Sequence, residues 1–294
     1  MKPAPFTYHR ARTLDDALAL LVQHPDAKPL AGGQSLIPAM NFRLAQPSAL
    51  VDLNRIATLQ GIAQTPEGGL RIGAMTRHSV VERSELVRRH APLLAEAMPH
   101  VAHPQIRSRG TVGGSLAHAD PSAELPAVML ALGARFVLQG RNGERSVAAA
   151  DFFTGLFTTA LTAGELLTAI EVPPRPPRTG SAFLEVARRH GDYALAGVAV
   201  ELSLDASGRI KNARVALLSV GDGPVLSTSV AGLTGQEPTE ALARQVGEAV
   251  RVEVDPPTDI HADSSYRRQL AAVLTRRAII SAAARAARPS TPTA

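Results

Sequence analysis

Near the start of the chain, apolar side chains recur with a helical period. Leu14, Ala17, Leu18 and Leu21 share one face behind Thr13, a capping residue, and Asp15 and Asp16 favour the positive end of that helix. Short apolar runs predict strands at Lys28–Leu30, Ala49–Leu53 and Leu70–Ala74. Helices are predicted over Ser79–Arg89, Pro92–His100 and Ser122–Leu132, the last closed by Gly133 as its C-terminal cap. Arg135–Leu138 and Arg145–Val147 form a hairpin pattern across Asn142-Gly143. The run Pro173-Pro174-Arg175-Pro176-Pro177-Arg178-Thr179-Gly180 can continue neither a helix nor a central strand, which places a domain boundary there. Beyond it lie strands at Phe183–Arg188, Ala196–Leu204 and Ile210–Ser219, the last two joined by the turn Asp205–Gly208. Two helices follow, near Glu240–Val250 and Tyr266–Ala287. On the last helix, Tyr266, Leu270, Val273 and Leu274 share a face, while Arg267, Arg268, Arg276 and Arg277 suggest a solvated or partner-facing side. No tandem repeat is present, and Arg288–Ala294 is expected to be a disordered tail.

Composition narrows the chemistry. At 294 residues and 45% hydrophobic content, the chain holds one large or two medium domains. No apolar run reaches the length of a membrane span, and Met1–Phe6 lacks the apolar core of a signal peptide, which predicts a cytoplasmic protein. There are no cysteines, so disulfides, thiolate nucleophiles, cysteine-ligated zinc and cysteine-held iron–sulfur clusters are excluded from this chain. Any redox centre within it is organic or held by other ligands. The net charge of +5 is carried almost wholly by scattered arginines, and aromatics amount to 3%, too few for a base-stacking platform, so nucleic-acid binding is disfavoured.

Two glycine segments carry the candidate chemistry. One is Leu30-Ala31-Gly32-Gly33-Gln34-Ser35-Leu36, reached from a strand; the other is Arg109-Gly110-Thr111-Val112-Gly113-Gly114-Ser115, followed by helix-forming sequence. Paired glycines let backbone N–H groups converge on an anion, and a helix start beyond them adds its positive end. Two such loops, each with a small hydroxyl residue behind the glycines, suggest a large nucleotide whose pyrophosphate is held from both sides. For either loop alone, a tight turn explains the glycines equally well. Neither Gly-x-Gly-x-x-Gly nor Gly-Lys-Ser/Thr is present, which argues against a Rossmann site or a phosphate-loop ATPase.

After the second segment, Asp120 and Glu124 lie four residues apart where loop turns into helix. Beside a pyrophosphate loop they suit sugar or ribityl hydroxyls; capping by Asp120 or Ser122 is the structural alternative. A metal site from His118, Asp120 and Glu124 is disfavoured, and His100 and His103 read as surface histidines.

Taken together these residues resemble the FAD-binding medium subunits of molybdenum hydroxylases, such as carbon monoxide dehydrogenase and relatives of xanthine dehydrogenase. The matching pieces are Pro29–Pro38, Val51–Leu53, Ile72–Thr76, Gly110–Leu116, Gly164–Leu167, Gly191–Ala194 and Tyr266–Arg268, spread from Phe6 to about Ala284. The resemblance implies an α+β fold. A two-subdomain FAD-binding domain of the vanillyl-alcohol-oxidase (PCMH) type would span residues 1–175, and a small α+β C-terminal domain of the carbon monoxide dehydrogenase flavoprotein type residues 181–287. It implies that Ala31, Gly32, Gly33, Gln34, Ser35 and Leu36, with Thr111, Val112, Gly113, Gly114 and Ser115, hold the FAD pyrophosphate. Asp120 and Glu124 would take the ribityl and neighbouring hydroxyls, Leu161 would lie along the flavin rim, and Tyr193 against the isoalloxazine face. Many members have histidine at Gln34, aspartate at Glu124 and a lysine near Glu185, which leaves open how this chain tunes its flavin.

The function implied is electron transfer, with FAD as the cofactor. A large molybdopterin subunit would oxidise the substrate, a small iron–sulfur subunit would relay electrons, and this chain's FAD would pass them to an external acceptor, in a dimer of heterotrimers. No catalytic residue beyond the flavin and no metal ligand is expected here. The alternatives are a stand-alone FAD-dependent oxidase or reductase of the same fold, and a non-enzymatic nucleotide-binding protein.

Overall fold

The computed structural model describes residues 1–288, so the expected tail lies outside the described residues except for Arg288. The chain opens with β1 (Thr7–Arg10), α1 (Leu14–Gln23), β2 (Lys28–Leu30), α2 (Leu36–Asn41) and β3 (Ala49–Asp52). The Thr13 side chain accepts the Asp16 N–H, and the helix buries Ala17, Leu18 and Leu21, as the periodicity predicts. The strands form a parallel sheet in the order β1-β3-β2. Its central strand is buried along its whole length.

Next come β4 (Ile62–Gln64), β5 (Leu70–Gly73) and six short helices: α3 (His78–Arg83), α4 (Glu85–His90), α5 (Pro92–Ala97), α6 (Pro104–Arg107), α7 (Val112–His118) and α8 (Glu124–Leu132). The single helix expected over Ser79–Arg89 is two, because Ser84 takes extended backbone angles and its hydroxyl caps α4. The helix expected to reach His100 ends at Ala97 and finishes in a 3₁₀ turn, Met98–His100. The second glycine segment is not a loop before a helix; Gly113 and Gly114 lie within the first turn of α7. All nine residues of α8 are buried, and Gly133 closes it at φ 62°.

This unit is completed by β6 (Arg135–Gly140), β7 (Gly143–Ala148), α9 (Ala149–Phe152), β8 (Phe153–Gly155), β9 (Thr158–Thr159) and β10 (Leu166–Val172). An antiparallel sheet runs β4-β5-β10-β6-β7, with β8 and β9 paired apart from it. Residues 173–178 carry no regular structure.

Beyond them are β11 (Thr179–Ala187), β12 (Ala194–Leu204), β13 (Ile210–Leu218), β14 (Val225–Leu226), α10 (Glu240–Glu253) and α11 (Ser264–Ala287). The four strands form one antiparallel sheet in sequence order. Alternation along the strands splits them between two cores. Phe183, Ala199, Ala216 and Leu218 pack with α5 and α8, whereas Ala182, Val198, Val200, Val215 and Leu217 pack with α10 and α11. A sheet covered on both faces explains why its strands read as nearly continuous apolar runs.

Helix α11 docks through Ala271, Leu274, Ala278 and Ala282; of the face read from the sequence, Leu274 is buried and Leu270 packs part-buried on the core, whereas Tyr266 is exposed. Small residues allow a close approach: a Cβ on Gly180 would stand 2.6 Å from the Ala286 nitrogen. Its arginines do not form one solvated side. Arg267 is buried and donates to the Leu195 carbonyl at 2.6 Å and to Asp259 at 2.7 Å. Arg268 pairs with Asp255 and Arg276 with Glu240. Among the described residues, no helix is long and apolar enough to cross a membrane.

Candidate functional site

Strand β2 delivers the first glycine segment to the edge of the parallel sheet, where Gly33 turns the chain at φ 74° into α2. Among the described residues, the N–H groups of Gly32, Gly33, Gln34, Ser35 and Leu36 donate to no acceptor of the chain, and the Ser35 hydroxyl makes no hydrogen bond. The first N–H groups of a helix have no partner within it, and a run of five unpaired donors beside a cleft has the chemistry to receive an anion. A cleft of about 500 Å³ opens there, lined by Tyr8, Gly32, Gly33, Gln34, Asp52, Asn54 and Arg109.

The cleft wall is a polar network between the parallel sheet and the residues that flank α3 and α6. Asp52 accepts the Asn54 N–H at 2.8 Å and its amide at 2.5 Å, together with the Tyr8 hydroxyl. Burial alone would raise the Asp52 carboxyl, but the Tyr8 and Asn54 donors hold it below the usual carboxylate range. The Asn54 amide also donates to the Ala31 carbonyl at 3.0 Å, and Arg77 bonds both Asn54 and the Arg109 carbonyl.

These bonds bring the two glycine segments together. A Cβ on Gly32 would stand 2.8 Å from Gly110 Cα and closer still to the Arg109 carbonyl oxygen. One on Gly114 would lie 3.4 Å from the Ala31 Cβ. The second segment, however, spends its own donors inside the chain. Val112 donates to Thr76 at 3.0 Å, Gly113 to Ala74 at 2.8 Å, and Ser115 to the Thr111 carbonyl at 3.0 Å. The Gly114 N–H goes to the Thr111 hydroxyl at 3.1 Å, so Thr111 is a helix cap. What this segment still presents is the Ser115 hydroxyl, which has no partner among the described residues, and a wall without side chains.

Helix α7 spans about 10 Å at 1.5 Å per residue and ends at Ala119, in the left-handed conformation at φ 52°. Asp120 follows and accepts the Ser122 N–H at 2.9 Å, an Asx turn, which delays the start of α8 to Glu124. Glu124 is 7% exposed, and burial, helped by the Glu185 and Asp120 charges, pushes it up to about 7. Tyr193 is 67% exposed at the entry to β12 and is no core aromatic; partial burial of its phenol and the Asp120 carboxylate raise that group. Leu161 lies two residues beyond β9, which packs against α7, and is part-buried on the main core.

The chain thus brings the two glycine segments into contact, with Asp120, Glu124 and Tyr193 together at the far end of α7. Sequence reasoning missed Tyr8, Asn54, Arg77 and Arg109. The only sequence signal was the Val51-Asp52-Leu53 motif, where Asp52 ends a buried strand. It also missed His100, which is not a plain surface histidine: its Nδ1 lies 3.1 Å from the buried Glu185 carboxylate. Among the described residues, no group of three or more His, Asp or Glu side chains is arranged to hold a metal.

A row of unpaired N–H groups with a cleft beside it, and the carboxylates of Asp120 and Glu124 roughly one short helix away, have the chemistry to suit an extended nucleotide cofactor. Comparison with known proteins agrees. The family described as FAD binding domain in molybdopterin dehydrogenase matches residues 4–175, and the one described as CO dehydrogenase flavoprotein C-terminal domain matches residues 181–282. The chain is 39% identical over 289 residues to the 6-hydroxypseudooxynicotine dehydrogenase complex subunit alpha of Paenarthrobacter nicotinovorans, covering 97% of each chain. It is 40% identical over 292 residues to the carbon monoxide dehydrogenase medium chain of Afipia carboxidovorans, covering 97% of this chain and 99% of that one. A solved carbon monoxide dehydrogenase from Hydrogenophaga pseudoflava, lacking the Mo-pyranopterin moiety of its cofactor, superposes with a TM-score of 0.94 at 39% identity, over 97% of this chain and 99% of that one. The chain belongs to the family of FAD-binding medium subunits of molybdenum hydroxylases.

Proposed function

We propose that this chain is the electron-transfer flavoprotein of a molybdenum-containing hydroxylase or dehydrogenase. It takes electrons from the iron–sulfur clusters of a small partner subunit and passes them to an external acceptor. A large molybdopterin subunit oxidises the substrate, and the assembly is a cytoplasmic dimer of heterotrimers. The observation that carries the reading is the row of unpaired N–H groups from Gly32 to Leu36. The absence of cysteine from the sequence supports the division of labour, since no iron–sulfur cluster can be held by thiolates here. Relatives named for substrates as unlike as 6-hydroxypseudooxynicotine and carbon monoxide match about equally well, which fits a substrate site on another chain.

In this reading residues 1–175 form the FAD domain and 181–287 the C-terminal domain. Gly32, Gly33, Gln34, Ser35 and Leu36 present N–H donors to the pyrophosphate, with Ala31 at the entry to that row. Thr111, Val112, Gly113 and Gly114 build the opposite wall, and Ser115 adds a hydroxyl. Asp120 and Glu124 accept hydroxyls of the ribityl chain, and Leu161 and Tyr193 border the flavin. The flavin, when bound, supplies a centre that accepts electrons singly and gives them up singly or in pairs. The protein orients that centre, shields one side of it and leaves an edge open through the exposed Tyr193.

Expressed alone, the full chain should purify yellow, release FAD on denaturation and be bleached by dithionite, yet turn over no organic substrate. A colourless chain, or robust oxidation of a small alcohol, acid or heterocycle by the isolated chain, would refute the reading.

A further inference from the structure

A second group of ionisable side chains lies where α5, α8 and the β11–β12 hairpin meet. His100 ends the 3₁₀ turn after α5, Glu124 begins α8, and Glu185 stands near the end of β11. His100 Nδ1 is 3.1 Å from Glu185 Oε1. The Glu185 side chain is 5% exposed, and its second oxygen, Oε2, is buried with no hydrogen-bond partner among the described residues. A buried carboxylate oxygen without a donor is costly, the more so if charged. Such an atom is satisfied by a proton, a donor or a buried water.

The neighbouring groups bear on the same charge. Among nearby charges Glu185 bears most on Glu124, the buried acid pushed up to about 7. His100 is raised above its ordinary value by the Glu185 hydrogen bond, against the opposing effect of burial. Glu124 and His100 are both shifted towards holding a proton, and the occupancy of each depends on the charges beside it. Only His100 reaches water: its side chain is 33% exposed, between Phe183 at 5.2 Å and the ring of His190 at 6.2 Å. The other charged groups facing the cluster are Glu96 of α5, itself paired with Arg285 of α11 at 2.6 Å, and Asp120 with Tyr193.

We propose that His100, Glu185 and Glu124 hold a shared proton and exchange it with solvent through the His100 imidazole as the charge of the adjoining flavin site changes. The proposal rests on the reading above that Asp120, Glu124 and Tyr193 adjoin the flavin. Iron–sulfur clusters deliver electrons without protons, so charge arriving at the site is balanced from elsewhere. A proton from water passes to the cluster as the electron arrives from an external reductant, and returns to water when it leaves. No bond between heavy atoms forms or breaks. Glu185 and His100 are positioning residues here, acting on the site through Glu124.

The test uses the full chain loaded with FAD. Infrared difference spectra between the oxidised and electrochemically reduced protein report neutral carboxyl groups, and NMR follows the His100 ring. Reduction should add a neutral-carboxyl signal that is lost in Glu185→Gln, while flavin occupancy in that variant stays at the wild-type level. The His100 titration should move to higher pH on reduction in the wild type, and should be insensitive to reduction in Glu185→Gln. Carboxyl and His100 signals identical in the two redox states would overturn the proposal, as would a Glu185→Gln variant with the wild-type response. If the chain carries no FAD, the flavoprotein reading itself fails. The titrations of the FAD-free chain then decide the cluster separately: coupled titrations that uncouple in Glu185→Gln retain it, and independent ones sink it.

Discussion

Replacing Gly32 by alanine separates a cofactor cradle from an ordinary turn. The added Cβ would stand 2.8 Å from Gly110 Cα and 3.0 Å from the Arg109 carbonyl carbon, with the carbonyl oxygen nearer still. All three are backbone atoms, and Arg77 holds that carbonyl in place, so no flexible side chain can yield. Restoring ordinary contact moves the two glycine segments apart by roughly half an ångström or more. Overpacking of this kind costs about 1–3 kcal/mol. If the strain falls on the geometry that binds the pyrophosphate, FAD affinity drops about 5- to 150-fold, since about 1.4 kcal/mol is tenfold. Gly208→Ala is the control. Gly208 sits at φ 86° in the Asp205–Gly208 turn with nothing within 4 Å, so alanine there strains the backbone and lowers stability without touching the cradle. Titrating the apo-proteins with FAD by fluorescence quenching, with thermal melts alongside, should show weak FAD binding in Gly32→Ala and unchanged binding in Gly208→Ala. A Gly32→Ala protein that is folded and binds FAD within about twofold of wild type would refute the reasoning.

Other expectations follow from the same contacts. Gly113→Ala should impair folding before it impairs FAD affinity, because its Cβ would stand 2.8 Å from the Ala74 carbonyl oxygen and its N–H is already bound there; a normal melting temperature would contradict this. Tyr193→Ala should raise bound-flavin fluorescence and alter reoxidation while FAD affinity falls roughly tenfold at most, as a stacking contact is worth about 0.5–1.5 kcal/mol; unchanged fluorescence and reoxidation would remove Tyr193 from the flavin. Ionised Glu124 is disfavoured in the folded chain only, so stability should fall as pH rises from 4.5 towards about 7, and Glu124→Gln should gain up to about 3 kcal/mol above that range and nothing below it. The His100 contribution has the same sign, present below pH 6.5 and lost as pH rises through its raised folded value, so urea titrations of the FAD-free chain that show greater stability in alkali would refute both.

Much of the fold was legible because its signals are local. Thr13 caps the helix behind it, Lys28–Leu30 is a strand leading into glycine, and Gly133 and Asn142-Gly143 end a helix and a strand through backbone conformations that glycine permits. Features that depend on distant partners were not legible. Gly113 and Gly114 look like a second anion loop until the Ala74 and Thr76 carbonyls, far back in the chain, are seen to take up the donors at its start. Arg267 reads as a surface charge until the Leu195 carbonyl buries it. His100 and Glu185 are eighty-five residues apart, and nothing local to either announces the other. The first glycine segment lines the cleft, but the network of Tyr8, Asp52, Asn54, Arg77 and Arg109 that shapes it joins residues far apart in the chain and carries no local pattern.

In the proposed assembly this chain carries the flavin of a molybdenum enzyme whose other centres lie on partner chains. Purifying the native assembly through this chain, and measuring its flavin, molybdenum and iron together with its subunits, tests that claim most directly. The expected result is one FAD for each copy of this chain, recovered with molybdenum and iron held on two other polypeptides. The flavin should also be reduced when the assembly is given its substrate. A chain that carries FAD but is recovered from its native source without molybdenum, iron or other polypeptides would contradict that claim.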